Sequence, residues 1–375
     1  MQEIIRKILI FSLFISTMCN IIGGRFSTLN TAFADDDYSM ITIEKDSGRV
    51  LYERNANVKR PMASTTKIAT AITVIENCKN LEKVVKVPSS AVGVEGSSVY
   101  LQENESVKII DLLYGLMLRS GNDCAVALAI TVSGSVSDFS VLMNRLAQKV
   151  GATDTNFVNP HGLHDENHYT TASDLAKISA YAMKNPVFCE IVSTKRYVMP
   201  WEGHEYDRVM LNKNKILSSF DGGNGIKTGY TKRSGRCLVA SAERNGMTVI
   251  SVVLNCGPMF EECARLMEQA FNEYEIATID YNDVNLCCAV EKGAQSFAEL
   301  AFETVRYPIK RDGSERLSYR VNGVDSLSAP VKRDTKNGNF DVYLNNRLIF
   351  SQKLYTIYDV KQKGLTDFIR EILTA

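Results

Sequence analysis

The sequence carries no excess of either charge: 43 basic residues balance 43 acidic ones over 375 positions. No basic field exists to recruit a nucleic acid, and no nucleic-acid motif is present. Small-molecule and polymeric substrates are not excluded by this balance. Histidine is scarce, with four residues in all, three of which (His161, His164 and His168) lie close to Asp165 and Glu166. Gly162 interrupts that stretch, which does not read as a helix, so its spacing has little meaning for metal ligation and no metal or cofactor is expected. Long apolar runs are lacking as well. Ile8 to Ile22 is broken by Ser12, Ser16, Thr17 and Asn20 and is short for a membrane span. Internal repeats and low-complexity tracts are also absent, which sets aside solenoids and disordered linkers.

The length is that of two domains with flanking segments, and 45% hydrophobic residues is ordinary for a globular chain. Arg6 and Lys7, the apolar run and Ala32-Phe33-Ala34 make residues 1–34 a secretory signal with a small-x-small cleavage site, so the mature chain is expected to be exported. Met18 before Cys19 is too large for lipid attachment. Of nine cysteines, eight remain after cleavage. Cys124, Cys237 and Cys263 sit in apolar patterns, and adjacent Cys287 and Cys288 would face opposite sides of a strand, so mostly free thiols are expected.

Pro61-Met62-Ala63-Ser64-Thr65-Thr66-Lys67 leads into a buried helix, with Ile68, Ala71, Ile72 and Ile75 on one stripe. Ser64 falls near the helix N-terminus, where free N–H groups favour negative charge. Lys67 lies one turn on, on the same face. A serine hydroxyl needs a base, and a lysine is one only when burial or a nearby cation keeps it neutral. Taken alone, S-x-x-K also describes an ordinary solvated helix lysine.

Downstream, Ile109 to Leu118 is helical, Ser120-Gly121-Asn122 breaks it, and Ala125 to Ile130 resumes it. Phe139 to Val150 and a helix capped from Thr171 to Asp174 follow. Ile226 to Ala242 and Thr248 to Leu254 are expected as a strand pair around Arg244-Asn245-Gly246, and Met259 to Tyr274 as an amphipathic helix closing the first domain. Beyond residue 278, short alternating segments with glycine and asparagine punctuation read as a small β-rich domain.

Ser120-Gly121-Asn122 and Lys227-Thr228-Gly229 follow Ser64-x-x-Lys67 in the order and rough spacing of the penicillin-binding enzymes. Together with Phe157–Leu163, His168–Ala176 and Gly229–Ala240, they make the chain resemble a serine-type D-alanyl-D-alanine carboxypeptidase of the low-molecular-mass penicillin-binding family, well over residues 38–275 and more loosely elsewhere. The resemblance implies an α+β fold. A β-lactamase/transpeptidase-like domain at 35–277, an antiparallel sheet with helices on both sides, is expected, followed by a β-rich domain at 278–350 and a tail at 351–375. It implies Ser64, Lys67 and Ser120 as catalytic residues, and Asn122, Lys227, Thr228, Gly229 and the Tyr230 backbone as substrate-binding groups. Peptidoglycan stem peptides are the implied substrates and β-lactam antibiotics the implied inhibitors. Tyr230 departs from relatives that carry histidine there. In the tail, Leu365, Phe368, Ile369, Ile372 and Leu373 form an apolar stripe, for which peripheral membrane contact through 364–375 and docking on the β-rich domain are the two expectations. A serine β-lactamase is the competing enzyme, but Glu166-Asn167-His168-Tyr169-Thr170 lacks the E-x-x-L-N pattern of that class. A non-catalytic binding module on the same fold is the third reading.

Overall fold

The computed structural model describes residues 38–201 and 203–364. The signal expected at 1–34 and the apolar stripe from Leu365 onward lie outside the described residues. An antiparallel sheet of order β2-β1-β9-β8-β7 is the centre of the first lobe. Its strands are β1 (Ser39–Glu44), β2 (Val50–Arg54), β7 (Gly223–Thr231), β8 (Gly235–Arg244) and β9 (Met247–Leu254). Both faces are covered. Cys237, Val239, Ile250, Val252 and Leu254 point into one core, and Leu238, Ala240, Ala242, Val249 and Val253 into the other. Burial on both faces removes the apolar/polar alternation of a half-exposed strand. It is also the reason Ile226 to Ala242 reads as one strand. The run is two strands, with a turn at Thr231–Gly235 in which Thr231 and Ser234 hydroxyls bond each other at 2.8 Å and Ser234 N donates to Thr231 Oγ1 at 3.0 Å.

On the first face lie α1 (Lys67–Asn77), α2 (Ile109–Tyr114), α3 (Asn122–Ser133), α4 (Val136–Lys149), α5 (Ala172–Ala182) and α6 (Pro186–Ser193). The last three start with side-chain caps. Ser135 Oγ accepts Asp138 N, Thr171 Oγ1 accepts Asp174 N, and Asn185 Oδ1 accepts the amides of Val187 and Phe188 beside Pro186. A short α7 (Ile216–Ser219) precedes β7. On the other face α8 (Met259–Glu273) buries Cys263, Leu266, Met267, Ala270 and Phe271. Two separate two-stranded sheets complete this lobe: β3 (Val84–Lys86) pairs with β4 (Ser106–Lys108), and β5 (Arg196–Met199) with β6 (Arg208–Leu211).

The second lobe is β-rich, as expected, but its limits differ. β10 (Tyr274–Ile279) continues straight from α8 and pairs with β13 (Val305–Lys310), so sheet pairing starts before residue 278. A six-stranded sheet of order β14-β16-β17-β12-β11-β15 follows. It comprises β11 (Leu286–Glu291), β12 (Phe297–Ala301), β14 (Leu317–Asn322), β15 (Leu327–Ser328), β16 (Lys336–Leu344) and β17 (Arg347–Thr356). β17 crosses the boundary expected at 350, and Val360 and Gln362 bridge back to Val331 and Gly293. Much of the tail expected at 351–375 is therefore part of this lobe. Its core stacks Phe302 on Phe340 at 3.8 Å between ring centres. Arg49 joins the lobes, giving a bidentate pair to Glu315 at 2.5 and 2.9 Å and a bond to Pro308 O at 2.6 Å. The eight cysteines among the described residues are unpaired, and Cys287 is exposed while Cys288 is buried.

Candidate active site

Ser64 sits in a single 3-10 turn, Ala63–Thr66, that runs directly into α1. Ala63 enters this turn at φ 47°. A chain of hydrogen bonds holds it there. Val158 N donates to His168 Nδ1 at 3.1 Å, so the proton of the neutral ring is on Nε2; Nε2 lies 2.8 Å from Thr66 Oγ1, which donates to Ala63 O at 2.8 Å. Burial lowers the His168 pKa to about 4 and keeps the ring neutral. His168 therefore acts at this turn as a structural hydrogen-bonding residue.

Lys67 has no solvent exposure, although its amine is polar. Its Nζ lies 3.0 Å from Ser64 Oγ, 2.7 Å from Asn122 Oδ1 and 2.7 Å from His161 O. Burial, then the Lys227 ammonium, pulls its pKa well below that of a free lysine. A neutral amine has two hydrogens and one lone pair. With the two hydrogens given to Asn122 Oδ1 and His161 O, the lone pair is left facing the Ser64 hydroxyl.

Asn122 opens α3 directly after Ser120, which is buried at φ 64°, and Gly121. The helix before them widens to π-type over Gly115–Arg119. Asn122 Nδ2 donates to Glu95 O at 2.5 Å and Asn122 N to Ser97 O at 2.7 Å, so one residue clamps the Glu95–Ser97 segment and orients Lys67. Lys227, also buried, lies on β7 with its pKa lowered to about 7 by burial and then by Lys213. Two residues along the same face, Gly229 packs against the nucleophile turn: a Cβ there would be 3.1 Å from the amides of Ser64 and Thr65. Thr228 is half-buried, and Tyr230 is exposed on the alternate face.

Ser64, Lys67, Asn122, Lys227 and Gly229 thus converge from three distant segments. Several contributors carry no local signal. The His161 carbonyl is one. Lys213 is another: exposed after β6, its Nζ lies 3.5 Å from Ser97 Oγ. Gly162 is a third. At φ 90°, a Cβ there would fall 1.9 Å from Ala63 O. Gly162→Ala should therefore displace the nucleophile turn and cut penicillin acylation by about a hundredfold or more, the scale on which small misplacements act. Gly48→Ala, at φ 68° with nothing within 4 Å, carries strain alone and should leave acylation near wild type. Stopped-flow acylation of the two variants compares them.

A buried lysine against a serine at a turn, with a second buried lysine on the edge strand of an antiparallel sheet, defines the class of penicillin-binding serine enzymes. Residues 30–257 match the Peptidase S11 family, D-alanyl-D-alanine carboxypeptidase. Residues 282–362 match the C-terminal domain of penicillin-binding protein 5. D-alanyl-D-alanine carboxypeptidase DacF of Bacillus subtilis is 29% identical over 94% of this chain and 92% of its own. DacC of Escherichia coli, another D-alanyl-D-alanine carboxypeptidase, is 32% identical over 88% and 85%. The crystal structure of penicillin-binding protein 5 from Haemophilus influenzae superposes with a TM-score of 0.71 at 28% identity, over 86% of this chain and 97% of that one. The chain belongs to the S11 family of serine D-alanyl-D-alanine carboxypeptidases.

Proposed function

We propose that the chain removes the terminal D-alanine of peptidoglycan stem pentapeptides through an acyl-enzyme on Ser64, and that β-lactam antibiotics acylate the same hydroxyl. The observation that carries this reading is the Lys67 lone pair directed at Ser64 Oγ by Asn122 and His161. Ser64 Oγ attacks the carbonyl of the penultimate D-alanine while Lys67 takes the hydroxyl proton. A positioned base of this kind contributes about a hundredfold to ten-thousandfold. The backbone N–H groups of Ser64 and Tyr230 hold the oxyanion, and Gly229 leaves the clearance that this pairing needs. The proton held by Lys67 passes through Ser120 to the leaving nitrogen, the C–N bond breaks, D-alanine departs and Lys67 is neutral again. Water then hydrolyses the ester.

Asn122 holds the substrate's backbone amide. Lys227 and Thr228, from the open edge of β7, take the terminal carboxylate in a charge-assisted contact. Lys213 adds a second positive charge nearby. The β-lactamase alternative needs a positioned glutamate for its deacylating water. Glu166 has a side chain 82% exposed and turns to His164 at 3.2 Å, which gives that reading no support. Export to the extracytoplasmic face, and peripheral membrane contact through 364–375, complete the reading from the sequence pattern.

D-alanine release from a soluble pentapeptide ending in D-Ala-D-Ala, measured beside nitrocefin turnover on one preparation, tests the function. Release with only slow nitrocefin turnover is expected. Rapid nitrocefin turnover without release makes the chain a β-lactamase, and neither activity makes it a binding module.

A further inference from the structure

Tyr100 has the most solvent-exposed ring among the large apolar side chains of the described residues, at 76%, yet its backbone stands at φ 61°. That region is costly for a side chain with a Cβ, and glycine or asparagine would occupy it more easily. The ring itself supplies no core packing that would offset the cost. Strain of this kind persists only where the surroundings over-determine it, and here they do.

Tyr100 N donates to Ser98 Oγ at 2.8 Å, and Tyr100 O accepts Arg208 Nη2 at 3.0 Å. On either side, Val99 N and Leu101 N donate to Asp123 Oδ2 at 3.0 and 3.2 Å, and both side chains are buried. Ser98 Oγ donates to the same carboxylate oxygen at 2.5 Å. Arg208 is in turn fixed by a buried bidentate pair to Glu105, at 2.5 and 2.8 Å, and by stacking on Trp201 at 4.2 Å. Asp123 follows Asn122 in the chain, and Asn122 N is bonded to Ser97 O at 2.7 Å. The segment that presents Tyr100 is therefore built onto the Ser120–Asp123 loop of the active site.

We propose that Tyr100 is a specificity-determining residue whose ring, set in place by its fixed backbone, stacks on an apolar C–H face of the substrate beyond the reacting D-Ala-D-Ala. This rests on the carboxypeptidase reading above. In the peptidoglycan polymer two groups offer such a face: the methylenes of the stem's diamino acid and the ring of the attached sugar. With its backbone already fixed, the tyrosine has only its two side-chain torsions to lose when its ring meets such a face.

The test uses the mature chain and three substrates: an N-acylated D-Ala-D-Ala dipeptide, the soluble pentapeptide and the disaccharide-pentapeptide. In Tyr100→Ala the kcat/KM of a longer substrate relative to that of the dipeptide should fall about three- to tenfold, the size of one aromatic contact, and KM should carry the change. Tyr100→Phe should restore the ratio. A fall already present with the pentapeptide assigns the contact to the stem, and one that appears only with the disaccharide substrate assigns it to the sugar. Tyr100→Gly, which relieves the backbone, should show the same loss without a lower melting temperature and separates lost contact from lost fold. Unchanged ratios for both longer substrates overturn the proposal, as does an equal loss on all three. If wild type releases D-alanine from none of them, the carboxypeptidase reading itself fails and this inference falls with it.

Discussion

Replacing Ser64 by alanine should abolish covalent penicillin binding and lower D-alanine release by about ten-thousandfold or more, the scale of loss when an enzyme's nucleophile is removed. The fold should survive. Ser64 contributes one hydroxyl at the mouth of a turn that is held by Thr66, His168 and Gly162, and its Oγ contacts only the Lys67 amine among the hydrogen bonds described. Intact-protein mass spectrometry after penicillin treatment reads the first effect, and amino-acid analysis of the released product reads the second. Unaltered melting with no adduct is the expected pair of results. An adduct at full yield in Ser64→Ala would place the nucleophile elsewhere.

The second large effect concerns protonation. Lys67 acts as a base only when neutral, and its burial beside Lys227 depresses its pKa far below the ordinary lysine value. kcat/KM should rise with pH as the free enzyme's Lys67 loses its proton. Lys227 must keep its proton to attract a carboxylate, and its pKa is lowered to about 7. A descending limb should follow as pH passes that value, and Lys227→Gln should erase this limb while raising KM. The two limbs belong to the coupled pair and not to either residue alone. Lys67→Arg retains the charge but cannot deprotonate, so acylation should be nearly lost at every pH. Acylation within about tenfold of wild type in that variant, a loss well short of the roughly hundredfold to ten-thousandfold that a positioned base contributes, would show that another group removes the Ser64 proton. The same shifts have a stability consequence. Between the folded pKa values of these lysines and their unfolded value, the unfolded chain binds more protons than the folded one. Stability should therefore rise with pH across that window.

What was legible in the sequence follows from distance along the chain. Ser64 and Lys67 are one turn apart, so helical periodicity alone places them on one face. Thr171 and Asp174, or Arg244-Asn245-Gly246, are local signals of the same kind. The turn at Thr231–Gly235 was hidden because strands buried on both faces show no alternation, leaving Lys232-Arg233-Ser234-Gly235 as the faint marker. The His161 carbonyl on Lys67, the seating of Gly162 against Ala63, the Asp123 anchor and the approach of Lys213 all join residues far apart in sequence. Such contacts arise from the packing of whole elements, and nothing in the composition near these residues announces them. The runs around Gly162 carried the family resemblance, but the physical duty of each residue emerged only from the packed site.

β7 presents Lys227 and Gly229 to the nucleophile turn and Tyr230 to the opposite side of the sheet. Evolutionary change at the two kinds of position is therefore unequal. A substitution of the Tyr230 side chain leaves its backbone amide where it was, so descendants can sample this position in single steps. A one-residue insertion or deletion within β7 would turn the whole set over and present Tyr230 where Gly229 now gives clearance. Point variation and frame variation in this strand should therefore have opposite fates in a randomised library selected for penicillin binding, with the first tolerated at Tyr230 and the second eliminated.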